Sequence, residues 1–491
     1  MPARVTGFHK GESRCGVRPG FSQGVTLGGV SACWRGRKVH HKDVGKDILK
    51  IVSAEGEGQK VEFKVKLSGL AKEMVAFANA SGGSIFLGIA DDGQIVGVAD
   101  SNRLRSQIQD IANNCDPRLP VRLVSHRSVI EIVVLEGTDK PYNCNEGFFL
   151  RIGPNSQQLT RDEILRFAIR SNKVRFDEQF ETTDDSEDPL DNDKITQFLL
   201  KRGLPERTIA SDLLINIGLA QKQQNRLLLT RAALLFFGRD PQRHFPEAYV
   251  TSALYADETR AKVLDRLDVK GTLEEQVSGT VGFIRRNLRV SYRIEKAGPR
   301  EEIPEIPEAV YREAVLNTLT HRDYFSDTTH VYVHMHPGRM EINNPGGLPD
   351  GLSLEELGTR AVPRNRLIAD IFYRMGYVER LGSGIYRMRS AMAAEHLPAP
   401  RFSPTVNAFK VELFSSFLTA GLSQEDANIC HWLSIKKTAT TKQLLSELPL
   451  SKATINRRLG KLAKEGWVKI HGSGRGVFYS LDYGPGINET K

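Results

Sequence analysis

Three observations predict a multidomain α+β protein. The chain is 491 residues long, its apolar pattern switches repeatedly between helical and strand periods, and an acidic run breaks its composition near residue 180. At about 100–200 residues per domain, three or four domains fit this length. A hydrophobic content of 40% excludes wholesale disorder. No apolar run reaches the roughly eighteen residues of a membrane span, so no membrane partner is expected. Five cysteines, odd in number and scattered, argue against a secreted disulfide framework. The N-terminus is basic, but Gly and Ser interrupt any apolar leader core, so a cytoplasmic location is expected.

The net charge of +9 is unevenly spread. Residues 1–50 carry ten Lys and Arg against three Asp and Glu, a net +7. Residues 421–491 carry eleven against six, a net +5, which leaves the middle at −3. Clustered positive charge suits phosphate neutralisation, so nucleic-acid contacts are expected at the ends. The plainer reading of the first fifty residues is a solvated tail.

Residues 1–45 have no periodic apolar pattern and read as a disordered basic tail. An α+β domain is expected over 46–173. Val61–Val65 alternates like a strand, and Leu70–Ala80 has helical spacing that Gly82 and Gly83 terminate. Ser84–Ala90 reads as a buried strand turned by Asp92 and Gly93, and further strands fall at 121–125, 129–135 and 148–152. Thr160 and Glu163 form a capping-box pattern that opens a helix ending near Ser171. Nine acids and no base between Asp177 and Asp193 suggest a solvated linker over 174–193. A mostly helical connecting region is expected over 194–300. A further unit follows over 301–415, with a helix from Glu308 to Thr320, strands at 331–336 and 340–342, and a Gly/Pro loop from Asn344. A last unit spans 421–484.

The first chemical constellation is Glu57, Glu62 and Lys64, with Asp91 and Asp92 in the later turn. Converging carboxylates can hold a divalent metal that polarises a phosphodiester, and Lys64 shares a strand face with Glu62 to bind phosphate charge. The plainer reading is an ordinary charged strand and an ordinary Asp-Gly turn. Four stretches, Glu57…Val61-Glu-Phe-Lys64, Ala76-Phe-Ala-Asn-Ala-Ser-Gly-Gly83, Phe86-Leu-Gly-Ile-Ala-Asp-Asp-Gly93 and Phe149-Leu-Arg-Ile-Gly153, together resemble the Schlafen AlbA-type domain. That resemblance implies nucleic-acid binding. It also implies a metal-dependent nuclease triad at Glu57, Glu62 and Asp91, acting on RNA or DNA, in phage defence for example. Ala90 departs from the acid that the family often carries there.

The second constellation is Glu313, Asn317 and His321, four apart and so on one helix face. An Asn amide oxygen is a hard ligand suited to Mg²⁺, and a Glu one turn away could orient water against a phosphate. Gly346 and Gly347 follow a strand, and Gly382 and Gly384 open a helix whose N–H groups could cradle phosphates. The plainer reading of each glycine pair is a tight turn. Their joint order resembles the GHKL ATP-binding fold of gyrases and histidine kinases, an α/β sandwich. More closely, residues from roughly 190 to 415 resemble the C-terminal region of RecG-related ATP-dependent helicases or regulators. The matching stretches are Leu234–Pro241, His321-Arg-Asp-Tyr324, Asn344-Pro-Gly-Gly-Leu-Pro349, Pro363-Arg-Asn365 and Val378–Gly384. No Walker A sequence is present to support helicase action.

The resemblance implies ATP and Mg²⁺ as cofactors. It implies Glu313 as general base of a weak ATPase, Asn317 as the Mg²⁺ ligand, and His321, Asn344, Gly346, Gly347, Gly382 and Gly384 as nucleotide-binding residues. Where the family reads adenine with Asp, this chain has Asn343-Asn344.

The third signal is C-terminal. A short helix at 441–446, a turn with Ser451 as N-cap, and a helix from Lys452 to Glu465 precede a hairpin with a basic tip at Arg475. Ile455, Leu459 and Leu462 face a core, which leaves Lys452, Thr454, Asn456, Arg457 and Lys461 outside. This pattern is that of a winged helix-turn-helix, which resembles bacterial regulator DNA-binding domains. The resemblance implies base-edge contacts from the second helix and phosphate contacts from Lys469 and Arg475. Winged helices also serve as protein-interaction modules. The expected function is therefore a DNA-binding, ATP-binding transcriptional regulator, acting as a homo-oligomer; the alternative is the metal-dependent nuclease.

Overall fold

The computed structural model describes residues 56–171, 173–181, 189–201, 210–223, 226–293, 301–349, 352–359, 362–378 and 382–483. The basic tail expected over 1–45 lies outside the described residues. So does the middle of the acidic run.

The N-terminal domain contains β1 (Val61–Lys64), α1 (Leu70–Asn79), β2 (Gly83–Leu87), α2 (Asn102–Asn113), β3 (Val121–His126), β4 (Val129–Val134), β5 (Phe149–Ile152), β6 (Asn155–Gln158) and α3 (Arg161–Arg170). Its four-stranded sheet has the order β1-β2-β4-β3, with only the β1/β2 pair parallel. Leu70, Met74 and Phe77 of α1 pack with Ile85, Leu87, Ile130 and Ile132 on one face. Phe63, Phe86, Ile89 and Val129 form a smaller cluster on the other. Thr160 and Glu163 make both hydrogen bonds of the capping box read from the sequence. The α2 helix has no counterpart in the sequence reading; polar residues dominate it, and only Ile108 and Ala112 are buried.

The next region differs from the expected helical connection over 194–300. It runs β7 (Phe180–Glu181), α4 (Asn192–Lys201), α5 (Ala210–Asn216), β8 (Ala220–Gln223), β9 (Arg226–Thr230), α6 (Arg231–Phe237), α7 (Pro241–His244), β10 (Val250–Tyr255), β11 (Val263–Val269), α8 (Leu273–Asn287) and β12 (Val290–Arg293). Five strands thus lie within the stretch expected to be helical. The reason is non-local. β10 pairs in parallel with a strand some eighty residues later, so its short apolar run acquires its state from a distant partner.

That partner belongs to β13 (Glu301–Pro304), α9 (Glu308–His321), β14 (Val331–His336), β15 (Arg339–Pro345), α10 (Arg366–Arg374), α11 (Gly384–Ala394), β16 (Arg401–Pro404) and β17 (Ala408–Phe414). The six-stranded sheet has the order β11-β10-β14-β15-β17-β16. Its apolar side chains Val250, Val331, Val333, Met340, Ile342 and Leu413 join Leu273, Phe283, Leu316, Leu319 and Met388 of the helices in one core. The sheet begins at residue 250, not at the expected boundary of 301.

The acidic segment also begins inside the fold rather than as a spacer. Phe176 is buried in this core, with its ring 5.5 Å from Tyr324. Asp177 is fully buried.

The C-terminal unit comprises α12 (Gln424–Lys436), β18 (Thr438–Ala439), α13 (Thr441–Glu447), α14 (Lys452–Lys464), β19 (Val468–His471) and β20 (Phe478–Leu481). The three strands form an antiparallel sheet in the order β18-β20-β19. Ile429, Leu433, Leu444, Ile455, Leu459 and Leu462 meet in its core. Among the described residues, no helix is long and apolar enough to cross a membrane.

Candidate functional site

A cavity of about 930 Å³ lies along α9, and all eight residues singled out around it line its wall: Glu313, Asn317, His321, Asn344, Gly346, Gly347, Gly382 and Gly384. The helix explains the first three. Positions four apart share a stripe, and at 1.5 Å per residue they span about 12 Å along the axis.

At one end of the stripe, Asn317 Nδ2 donates to Glu313 Oε1 at 3.2 Å, and Arg387 Nη2 donates to Glu313 Oε2 at 2.9 Å. A Cβ on Gly384 would sit 2.0 Å from Glu313 Oε1, so a side chain there would displace the Glu313 carboxylate from its present place. At the other end, Arg364 Nε donates to the His321 carbonyl at 3.1 Å and its Nη2 to the Gly347 carbonyl at 2.6 Å. Asn365 Nδ2 donates to the carbonyls of Thr320 and Arg322, which α9 leaves unpaired at its C-terminus. The Pro-Arg-Asn stretch therefore ties the glycine loop to the end of α9. Gly346 has φ 97°, a conformation that L side chains rarely adopt.

Desolvation and the Arg364 charge push the His321 pKa down to about 4, so its ring is neutral at pH 7. It can donate or accept one hydrogen bond there but carries no charge toward a phosphate. Asn344 and Asn343 alternate across β15. Asn344 turns toward the cavity and is buried, while Asn343 pairs with Tyr332 and Lys410 in the sheet. The Asn344 side-chain oxygen is buried with no hydrogen-bond partner among the described residues.

Sequence reasoning missed Arg387 and Arg364. Arg387 has a weak signal in retrospect, since it lies one turn beyond Gly384 and so returns to the same helix face. The residues fit a nucleotide: a long cavity has an amide at one end and a glycine-opened helix N-terminus with an arginine at the other. Glu313 and Asn317 supply two hard oxygen donors, and Mg²⁺ commonly takes its remaining ligands from phosphate and water.

The N-terminal acids are arranged differently from the expected triad. Glu62 is 5% exposed and bonded to Lys64 Nζ at 2.6 Å and to Arg151 Nη1 at 2.8 Å. The same Arg151 lies 3.3 Å from Glu73 and donates to the carbonyls of Gly58 and Val61. Its guanidinium rests 4.8 Å from the centre of the Phe77 ring. Glu57 accepts a hydrogen bond from the Phe63 N–H. Burial raises its pKa first of all, and the neighbouring charges of Glu62 and Asp91 raise it further. Among the described residues, no three His, Cys, Asp or Glu side chains come together to hold a metal. The expected Glu57–Glu62–Asp91 metal triad is thus corrected: Glu62 is instead joined with Glu73 through the buried Arg151.

On α14, Ser451 caps the helix as expected, accepting from the Thr454 N–H. Lys452, Asn456 and Arg457 are exposed. Lys461 is partly committed to Asp426 at 3.1 Å, and Lys469 to Asp482 at 3.0 Å. Thr454 Oγ1 bonds Ser451. The Arg475 side chain lies outside the described residues.

Comparison with known proteins bears on two of these units. Residues 57–160 match the family described as "Schlafen, AlbA_2". Residues 328–413 match the family described as "Putative ATP-dependent DNA helicase recG C-terminal". The chain therefore carries a Schlafen AlbA_2 domain followed by a domain of that RecG C-terminal family. A crystal structure of the DIP2311 protein from Corynebacterium diphtheriae is similar over 90% of this chain and 98% of that one, at 18% identity and a TM-score of 0.43. No curated protein matches the chain.

Proposed function

We propose that this protein is a nucleic-acid-binding regulator whose DNA contacts are governed by ATP bound along α9. The observation that carries the reading is the convergence of eight residues, drawn from three separate stretches of sequence, on one cavity with a buried amide oxygen unpaired among the described residues. Gly382, Gly384 and Arg387 would face the phosphates, Asn317 and Glu313 would take Mg²⁺, and Asn344 would meet the base. Bound Mg²⁺ would neutralise phosphate charge and could polarise the terminal phosphate. Glu313 is held by Arg387, so binding precedes any base role: the carboxylate must first exchange its arginine.

Asn317→Ala is expected to weaken ATP binding at least tenfold while leaving the unfolding midpoint within a few degrees. Isothermal titration of both proteins checks this, and equal affinities would sink the site assignment.

We further read the C-terminal unit as a winged helix with α14 as the recognition helix. Lys452, Arg457 and, at its far end, Lys464 are its exposed cations without an ion-pair partner among the described residues, and the first two lie in its N-terminal half. Replacing those two with alanine should weaken DNA binding across all sequences and lower the salt slope by about 2. Binding measured over a salt series gives that slope. An unchanged slope would move the DNA surface elsewhere.

A further inference from the structure

Cys115 and Cys144 take no part in the α9 cavity, the carboxylate cluster or the α14 surface. Their neighbours Asp116 and Asn143 exchange both backbone hydrogen bonds, at 2.9 and 2.8 Å, as an isolated antiparallel bridge. Cys115 and Cys144 are the next residues outward on one side of this bridge, so it brings their backbones close together. Cys115 lies in the bend after α2 with its thiol on the Ile111 carbonyl, and the Cys144 thiol lies on the Gly147 carbonyl. Both cysteines are free, 4% and 7% exposed, and belong to one apolar cluster with Leu119, Tyr142 and Phe149. The Cys115 pKa is pushed up to about 12, first by burial and then by the charge of Cys144, as expected of neighbours.

Disulfides span Cα separations of about 4.4–6.8 Å, a range within reach of residues that adjoin a bridged pair, once the two thiols turn from their carbonyls. We propose that Cys115 and Cys144 are a modification site at which a peroxide forms a reversible disulfide. One thiolate attacks a peroxide oxygen, the O–O bond breaks, and the departing oxygen leaves as water after protonation. The second sulfur then attacks the resulting sulfenic sulfur, an S–S bond forms, and a second water leaves. Two thiols lose two protons and two electrons, and the peroxide takes up both. Low thiolate content makes the first step slow at neutral pH, so the rate rises with pH. A small thiol reverses the product by exchange. The bond ties the two ends of the segment 116–143, which carries β3 and β4.

Cys430 is the internal control, being buried with its pKa likewise pushed up to about 12 but with no cysteine opposite it among the described residues. The test uses the full chain with Cys15→Ser and Cys33→Ser, so that these two cannot compete. It is treated with hydrogen peroxide, alkylated in denaturant and mapped by peptide mass spectrometry. The expected product is a Cys115–Cys144 cross-linked peptide lacking two hydrogens, with Cys430 still alkylated. Dithiothreitol should restore both thiols. Oxidation should raise the unfolding midpoint by about 5 °C or more, because the closed loop restricts the unfolded chain. Cys115→Ala and Cys144→Ala should each abolish cross-link and shift together. Oxidation that stops at sulfinic acid, or that leaves 115 and 144 as alkylatable as 430, overturns the proposal.

Discussion

Arg151→Met should destabilise the N-terminal domain by about 3–5 kcal/mol, the usual cost of removing one partner from a buried ion pair. The side chain is buried at 3% exposure, and its guanidinium touches both Glu62 and Glu73. Ser156 also donates to Glu73. With the arginine gone, Lys64 remains 2.6 Å from Glu62 but 3.7 Å from Glu73, so the second carboxylate keeps only a distant cation. Gly58 and Val61 would lose donors to their carbonyls as well. Neutralising the stranded acids with Glu62→Gln and Glu73→Gln in the same chain should recover much of the loss, because unpaired charge is the larger part of it. Urea unfolding of the three proteins measures this. A single variant within 1 kcal/mol of wild type would mean that water already serves these carboxylates.

That cluster shows where sequence reasoning reaches and where it stops. Glu62, Lys64, Asn79 and Arg151 all fall within the stretches that resemble the Schlafen AlbA-type domain. Their spacing along the chain does not say that residue 151 crosses to residues 62 and 73. Asn79 is similar. Its amide donates to the carbonyls of Tyr142 and Phe149 and its oxygen accepts from the Tyr142 N–H, a clamp between segments over sixty residues apart. Features with local causes were legible: the Thr160 cap, the Ser451 cap, the α9 stripe and the β19/β20 hairpin each depend on residues within one or two turns. Sheet membership was not, because β10 and β14 pair across two helices and three further strands. The lining of the cavity along α9 was legible because its residues come in local patterns, a four-residue helix stripe and two glycine pairs. Arg387 carried only the weak signal of its place one turn beyond Gly384, and Arg364, though inside the Pro363-Arg-Asn365 stretch, gave no sign that it reaches across to residues 321 and 347.

Asp177→Asn should remove a pH dependence of stability worth about 3 kcal/mol, the free energy that corresponds to lifting a carboxyl from 3.8 to about 6. Burial lifts it, against the hydrogen bonds that its Oδ2 accepts from the Leu367 N–H at 2.6 Å and the Ile368 N–H at 3.2 Å. Oδ1 is buried with no partner. The folded protein thus binds this proton more tightly than the unfolded chain. The resulting stability is fully present below about pH 4 and is lost as pH rises through about 6. Asparagine keeps an oxygen for the two N–H groups and holds no charge, so the difference in unfolding free energy between variant and wild type should grow by about 2 kcal/mol from pH 4 to pH 7. Taking the difference cancels every other titrating group common to both proteins. A flat difference across that window would show that Asp177 stays ionised with solvent access. The position gives the measurement a functional edge. Asn365, at the N-cap of α10, spends its amide on the end of α9 and makes no side-chain cap, so Asp177 supplies one from the acidic segment. The first residues of that segment are therefore joined, through a single carboxylate, to the helix whose Arg366, Asp370 and Arg374 line the cavity.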